Sequence, residues 1–333
     1  MGRIAISWSR ERALTEAQIL EAVRLADRKG YEASFFGEGW GRDATVMMAW
    51  AAHETKNIRL GPAVFNVFSR TPTLVAQSAA TLDVLSGGRA MLGLGVSSST
   101  VVEQWNGLPF QKPLRRLREY VEVVRLALSG QRVDYSGQIF NLRRFTMDVR
   151  PVQERIPIFI SADSPKMRAL AGEIADGWHA VYVSAEALPG LKSQMEEGMR
   201  LAGRHPGQCT VTPHILTLAI KDVDMARRLM KGHLAYYVGG MGTYFAGVVT
   251  QMGFGSEAQA IQQAWKLDKA KAADLVSDGL LDAVTITGNR RQCQARLQAY
   301  RDAGADLPVL TFPYGSTLDM ICETIEALGN KSN

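Results

Sequence analysis

The stretch Ile58–Gly95, IRLGPAVFNVFSRTPTLVAQSAATLDVLSGGRAMLGLG, decides the fold. It places two short apolar runs, Ile58–Val64 and Arg89–Gly95, on either side of a helix-like segment, Pro72–Leu85. Pro72 near the first helical position opens that helix, and Gly87 and Gly88 close it. The same unit recurs outward in both directions. Upstream, Arg3–Trp8 and Tyr31–Gly37 read as strands. Helices Thr15–Lys29 and Ala44–Thr55 follow them, the first with Thr15 as N-cap and Gly30 past its end. Downstream come helix Pro113–Leu128, strand Ile156–Ser161, helix Pro165–Ala175, strand Trp178–Val183 and helix Ala187–Ala202. A strand within Thr210–Ile220, a last strand, Leu307–Phe312, and a closing helix, Leu318–Leu328, complete the series.

Alternation of this kind demands parallel strands joined by right-handed crossovers. Eight such units favour a (β/α)8 TIM barrel over an open doubly wound sheet. The dinucleotide fingerprint GxGxxG is missing, since Gly93-Leu94-Gly95 is followed by Ser98 where the third glycine belongs. The prediction is therefore one α/β barrel domain over residues 1–330, with 331–333 a short tail. Two interruptions are expected: a β-hairpin at Arg132–Arg144 after the fourth helix, and a mostly helical stretch from Asp222 to Arg301 after strand seven. The latter, apolar and broken at Gly239, Gly240 and Gly242, could cap a pocket, form a dimer interface or simply pack as core.

Length supports this reading. The 333 residues suggest two domains at about 150 each, but barrels run past 250 as one. Net charge is +5 without a basic tail, and the densest patches, Arg115–Arg118 and Arg143–Arg144, mix with apolar residues, so no nucleic-acid partner is expected. Cys209, Cys293 and Cys322 form no CxxC, and the five histidines show no metal spacing, so neither disulfides nor a metal site is expected. No secretory h-region or membrane-length apolar run is present, which points to the cytoplasm. Neither GxSxG nor a Walker motif occurs, which removes the usual support for hydrolases and NTPases.

In a barrel, function belongs to the loops after the strand C-termini. After strand two, Gly37–Asp43 offers Glu38 as an acid or base and Trp40 as a stacking wall, while Asp43 is placed to cap the next helix. After strand three, Asn66 could meet a heteroaromatic ring edge or serve as a turn residue, and Arg70 reads as a structural partner for a nearby acid. After strand four, Ser97, Ser98 and Ser99 either admit a flat ligand or form a flexible loop. After strand five, Ala162-Asp163-Ser164-Pro165-Lys166-Met167 opens a helix whose free N–H groups suit an anion, or Ser164 merely caps it. His179 reads as a satisfied core histidine.

Two motifs carry a family resemblance. Arg70-Thr71-Pro72…Ala80-Thr81-Leu82-Asp83…Ser86-Gly87-Gly88-Arg89…Gly93-Leu94-Gly95 and Ser164-Pro165-Lys166-Met167…Glu173-Ile174-Ala175-Asp176-Gly177 resemble the signature of the bacterial luciferase-like flavin and deazaflavin oxidoreductases. Trp105-Asn106-Gly107, Pro113…Glu119-Tyr120-Val121 and Leu234–Tyr237 resemble the branch that uses coenzyme F420, a 5-deazaflavin, and includes methylene-tetrahydromethanopterin reductase. That likeness implies a homodimeric TIM barrel with F420 as cofactor. It further implies a non-proline cis peptide at Ala63–Val64 behind the cofactor ring, Asn66 and Ser97 near it, and Ala162–Met167 as a phosphate-binding turn, with the Asp163 side chain turned away. The implied reaction is hydride transfer between the deazaflavin C5 and a C=C, C=N or C=O of a small organic substrate. Glu38 would exchange the proton if burial favours its protonated form. An FMNH2-dependent monooxygenase and a non-catalytic cofactor-binding protein are the alternatives. Two departures matter. The turn lacks the glycines many relatives have, and Glu38-Gly39-Trp40 lacks the His that sugar-phosphate and secondary-alcohol dehydrogenases of the branch place here.

Overall fold

The structure, a computed structural model, describes residues 2–9, 11–39, 41–241 and 243–330. In chain order the strands are β1 (Ala5–Trp8), β2 (Ala33–Phe36), β3 (Arg59–Pro62), β4 (Phe65–Asn66), β5 (Leu92–Gly95), β6 (Val133–Ser136), β7 (Asn141–Phe145), β8 (Ile158–Ser161), β9 (Gly177–Val181), β10 (Thr210–Ala219), β11 (Thr285–Gly288) and β12 (Val309–Thr311). The helices are α1 (Glu16–Arg28), α2 (Ala44–Glu54), α3 (Pro72–Ser86), α4 (Pro113–Leu128), α5 (Pro165–Ile174), α6 (Leu188–Leu201), α7 (Val223–Ala235), α8 (Tyr244–Val249), α9 (Gly255–Trp265), α10 (Lys269–Asp274), α11 (Asp278–Val284), α12 (Arg290–Asp302) and α13 (Leu318–Leu328).

Contacts group the chain into two compact units. The unit formed by residues 31–180 and 190–212 pairs β2 with β3, β4 with β5, β5 with β8 and β8 with β9, all in parallel. A bridge between Leu60 and Ala90 ties β3 to the start of β5. The strands β2, β5 and most of β8 and β9 are buried along their length, as parallel strands covered on both faces must be. The third strand is split by a cis peptide at Ala63–Val64, which leaves β3 and β4 as its two halves. The hairpin β6–β7 is antiparallel, as the Ser-Gly signal predicts.

The other unit, residues 1–30, 181–189 and 213–333, carries the parallel set β1–β12–β10–β11. The long stretch after strand seven is not only helical: α7 to α11 lead into β11, which pairs with β10 from Leu216–Thr285 to Ala219–Gly288. Thr-Ile-Thr-Gly is four residues long and sits between helical periodicities, so alternation has no room to show. Helix ends follow the predicted chemistry. Thr15 and Gln18 form a capping box on α1, and Gly30 takes φ +77° beyond its end. Among the described residues, no helix is long and apolar enough to cross a membrane.

The signature residues act as pins. Asp83 is fully buried, and its carboxylate accepts from the Ala90 N–H (3.2 Å), the Gln153 N–H (2.8 Å) and Gln153 Nε2 (2.6 Å). Arg89 donates to the carbonyls of Ala52, Thr55, Ile58 and Ser86, satisfying the end of α2 and the approach to β3. Asp176, just before β9, is gripped by Arg125 and Arg155 and accepts the Ile158 N–H at 2.8 Å. Burial would raise this carboxyl, but Arg125, the Ile158 N–H and Arg155 outweigh it and hold it below the ordinary aspartate value. The buried Glu119 of α4 accepts N–H bonds from Gln138, Ile139 and Phe140, stapling the hairpin turn to the helix.

Candidate active site

The predicted residues after β2, β4, β5 and β8 all fall in one unit, on strands whose C-terminal ends are neighbours. Asn66 pairs with Gly95, and Leu94 with Ile160. A cavity of about 480 Å³ opens there, lined by Glu38, Asn66, Ser69, Arg70, Ser97 and Asn106 among others. That is within the usual range for a small-molecule site, roughly 300–1,000 Å³.

Its polar side is built around Arg70. The guanidinium grips both oxygens of Glu38, with Nε 2.8 Å from Oε1 and Nη2 2.5 Å from Oε2. Nη2 also donates to Asp43 Oδ2 at 2.9 Å. The cation lies 4.6 Å over the Phe65 ring, and the Tyr120 hydroxyl donates to the Arg70 carbonyl at 3.0 Å. These contacts fix the side chain before any ligand arrives. The bond to Glu38 is the largest influence on Arg70 and holds it more firmly protonated, against the opposing effect of burial. Side-chain exposures of 16% for Glu38 and 17% for Arg70 make this a partly buried pair. The guanidinium occupies both Glu38 oxygens, so Glu38 is the acceptor in this pair. Asp43 has the predicted capping role, accepting the Val46 N–H at 3.1 Å, and also joins the ion pair.

Asn66 lines the cavity and forms a turn at once. Its Oδ1 accepts the Phe68 N–H at 2.9 Å, so the NH2 is the group it can offer a ligand. Ser97 lines the cavity at φ +59°. Val64 folds over Gly95, where an added Cβ would come within 2.6 Å of Val64 Cγ2. This close approach explains why the position needs glycine. In the turn after β8, Ala162 is buried with its carbonyl accepting the Trp178 indole N–H at 2.9 Å, and Met167 is buried too. Asp163, Ser164, Pro165 and Lys166 are exposed. Ser164 caps α5 by accepting the Met167 N–H at 3.3 Å.

The cavity thus brings together Glu38, Asn66 and Ser97. Ala63, Val64 and Ala162–Met167 are not among its lining residues. Trp40 lies outside the described residues. Ser69, Arg42, Val101 and Asn106 also line the cavity without having been singled out as site residues. Asn106 had a signal in the Trp105-Asn106-Gly107 motif, and Arg42 in the Gly37–Asp43 loop. His179 is buried, its Nδ1 2.8 Å from Thr212 Oγ1.

Fold and site define an α/β-barrel enzyme with a small-molecule cavity at its strand C-termini. The fold is the (β/α)8 class: the F420-dependent tetrahydromethanopterin reductase of Methanopyrus kandleri matches with a TM-score of 0.87 at 25% identity, over 98% of each chain. The luciferase-like monooxygenase family model matches residues 7–307, and the chain belongs to that family. A Mycobacterium tuberculosis protein provisionally named a coenzyme F420-dependent oxidoreductase is 34% identical over 321 residues, covering 87% of this chain and 89% of that one. The 5,10-methylenetetrahydromethanopterin reductase of Archaeoglobus fulgidus is 29% identical over 300 residues, covering 88% and 89%.

Proposed function

We propose that this protein is a coenzyme F420-dependent oxidoreductase that moves a hydride between the deazaflavin C5 and a C=C, C=N or C=O of an organic substrate. The observation that carries the reading is the Glu38–Arg70–Asp43 cluster on the wall of a cavity that also holds Asn66 and Ser97. Its relatives' names supply the cofactor. The residues present fit a flat, polar-edged ring: the Asn66 amide and the Ser69 and Ser97 hydroxyls are neutral hydrogen-bonding groups beside small residues. When bound, a reduced deazaflavin supplies hydride and takes little part in single-electron or oxygen chemistry.

The chain's own residues do the rest. Asn66, Ser97, Ala63 and Val64 would hold the ring. The N–H groups opening α5, with Ser164 and Lys166, would hold the phosphate. Glu38 would exchange the proton that accompanies hydride transfer: it takes the proton the substrate releases when hydride leaves, and in the reducing direction it passes to the substrate a proton drawn from solvent. Titration of the protein with F420 and with FMN tests the cofactor. FMN binding with oxygen consumption would instead favour a monooxygenase.

The same reading makes the protein a homodimer. The outward faces of the packed helices α2 and α3 expose Val46, Trp50, Leu74, Val84 and Leu85. Asp83, the one charged residue of α3, is buried. Exposed apolar side chains of this kind suit a second copy of the chain. Light scattering at micromolar concentration checks it. The three cysteines are free, which suits a reducing compartment such as the cytoplasm.

A further inference from the structure

The arginines that open α4, Arg115, Arg116 and Arg118, form one of the two densest basic patches of the sequence, and the proton-transfer scheme leaves them unused. Two of the three answer acids of the fold. Arg118 grips both oxygens of Glu173, and Arg115, its side chain 47% exposed, lies 4.0 Å from Glu119. Arg116 is different. Among the described residues its guanidinium has no hydrogen-bond or ion-pair partner, and its Nε is buried.

Aromatic rings hold this cation. Its Cζ lies 4.6 Å over the Phe68 ring and 5.3 Å over the Phe140 ring. The rings are themselves fixed. Phe68 packs 5.1 Å from Phe110 and donates its N–H to Asn66 Oδ1 at 2.9 Å, and Phe140 packs 5.8 Å from Tyr120. Rings attract the charge but offer no oxygen to the five N–H donors of a guanidinium. The acids of α4 are already engaged: Glu119 accepts three N–H groups of the hairpin turn, and Glu122 accepts the Tyr135 hydroxyl at 2.5 Å. Partial burial pulls the Arg116 guanidinium below its ordinary value, against the opposing influence of Tyr120 and Glu119. A partly desolvated cation with unfilled donors is stabilised by an oxyanion that reaches it. Phe68 stands between Asn66 and Ser69 in the chain, and both of those line the cavity.

We propose that Arg116, held on Phe68 and Phe140, is an oxyanion-binding site that selects substrates carrying a carboxylate. The planar guanidinium suits two-point contact with that group. The inference rests on the oxidoreductase reading only for the source of the oxyanion, which falls to the substrate because that reading gives the cofactor phosphate to the turn before α5. Its test does not need the cofactor. Succinate and dimethyl succinate share a carbon skeleton and differ in charge. Both are titrated at low salt into wild type, Arg116→Gln, Arg116→Lys and Arg115→Gln. Binding is read by nuclear magnetic resonance at the Arg116 Nε–H and at the backbone amides of Phe68 and Phe140.

Wild type should bind succinate with a Kd of roughly millimolar order and should not bind the diester. Arg116→Gln should weaken succinate binding about tenfold or more, the range of one lost charged hydrogen bond. Arg116→Lys keeps the charge without the planar fork and should lose about threefold; it carries the test if the Gln variant fails to fold. Arg115→Gln should stay within about twofold of wild type. In turnover with reduced F420, Arg116→Gln should raise KM for an α,β-unsaturated acid and leave KM for its methyl ester unchanged. No succinate binding by wild type, unchanged affinity in both Arg116 variants, or an equal loss in Arg115→Gln would overturn the inference. So would equal binding of the diester, which would assign the response to apolar contact. Weaker F420 binding in Arg116→Gln with both KM values unchanged would overturn the substrate assignment and give the oxyanion to the cofactor. Succinate binding lost in Arg116→Gln, in a protein that binds no F420, would sustain the carboxylate site and sink the cofactor reading instead.

Discussion

Glu38→Gln separates the chemical role of this residue from its structural one. The substitution keeps the shape and one acceptor oxygen but removes the charge from a two-point grip. Arg70 is not orphaned, because Asp43 stays 2.9 Å from Nη2 and the Phe65 ring lies 4.6 Å below. The cost of breaking a fully buried pair, about 3–5 kcal/mol, therefore does not apply. A loss of about 1–2 kcal/mol is expected, a downward Tm shift of roughly 2–6 °C. A positioned proton-transfer group contributes about 10²–10⁴ in rate, so turnover should fall at least about a hundredfold. The assay follows oxidation of reduced F420 with the best acceptor from a panel of conjugated carbonyl compounds, alongside a melting curve. Asp43→Asn is the control. It keeps an equally good cap for α2 and removes only the charge at the rim of the cluster, costs less than about 1 kcal/mol and leaves turnover within about threefold. Glu38→Gln turnover within about threefold of wild type would refute the proton-transfer role, whatever the melting curve shows.

Three further outcomes follow from the packing. Gly95→Ala puts a Cβ 2.6 Å from Val64 Cγ2, so Val64 must shift; a cost of about 1–3 kcal/mol and about tenfold weaker cofactor binding are expected, read by melting and titration. Glu119→Gln replaces an acceptor for three N–H groups by an amide that turns donors toward them. It should lose about 2–3 kcal/mol and speed hydrogen exchange at Gln138–Phe140 before the rest of the hairpin. Asp176 has its folded carboxyl held below the ordinary value, so its contribution is present above the unfolded value, about 3.9, and is lost as pH falls through the folded one. Asp176→Asn should lower Tm at pH 7 by the equivalent of about 1–3 kcal/mol, and the gap to wild type should close below about pH 4 in a melting series.

The strand–helix units were legible because caps and stops are local chemistry. Thr15 with Gln18, Asp43, Thr71 before Pro72, and Gly87 at φ +65° each act within one turn of helix. Strand β11 was not legible, since its identity comes from pairing with β10 across the whole insertion. The signature around Asp83, Arg89 and Asp176 was readable as a pattern. Its meaning was not, because Gln153, Ala52 and Arg125 reach these residues from distant segments. The cavity shows the same division. Glu38 and Asn66 stood out by their place after strands, and Arg70 was readable as a partner for an acid. Its grip on both Glu38 oxygens depends on side chains 32 residues apart and only the folded chain displays it.

The identity of the cofactor decides the reaction class. Fluorescence titration of the purified protein with F420 and, separately, with FMN tests it most directly. Saturable F420 binding in the micromolar range or tighter, weakened in Gly95→Ala, with no comparable FMN binding, is the expected result. Tight FMN binding, oxygen consumption with reduced FMN and no response to F420 would contradict it.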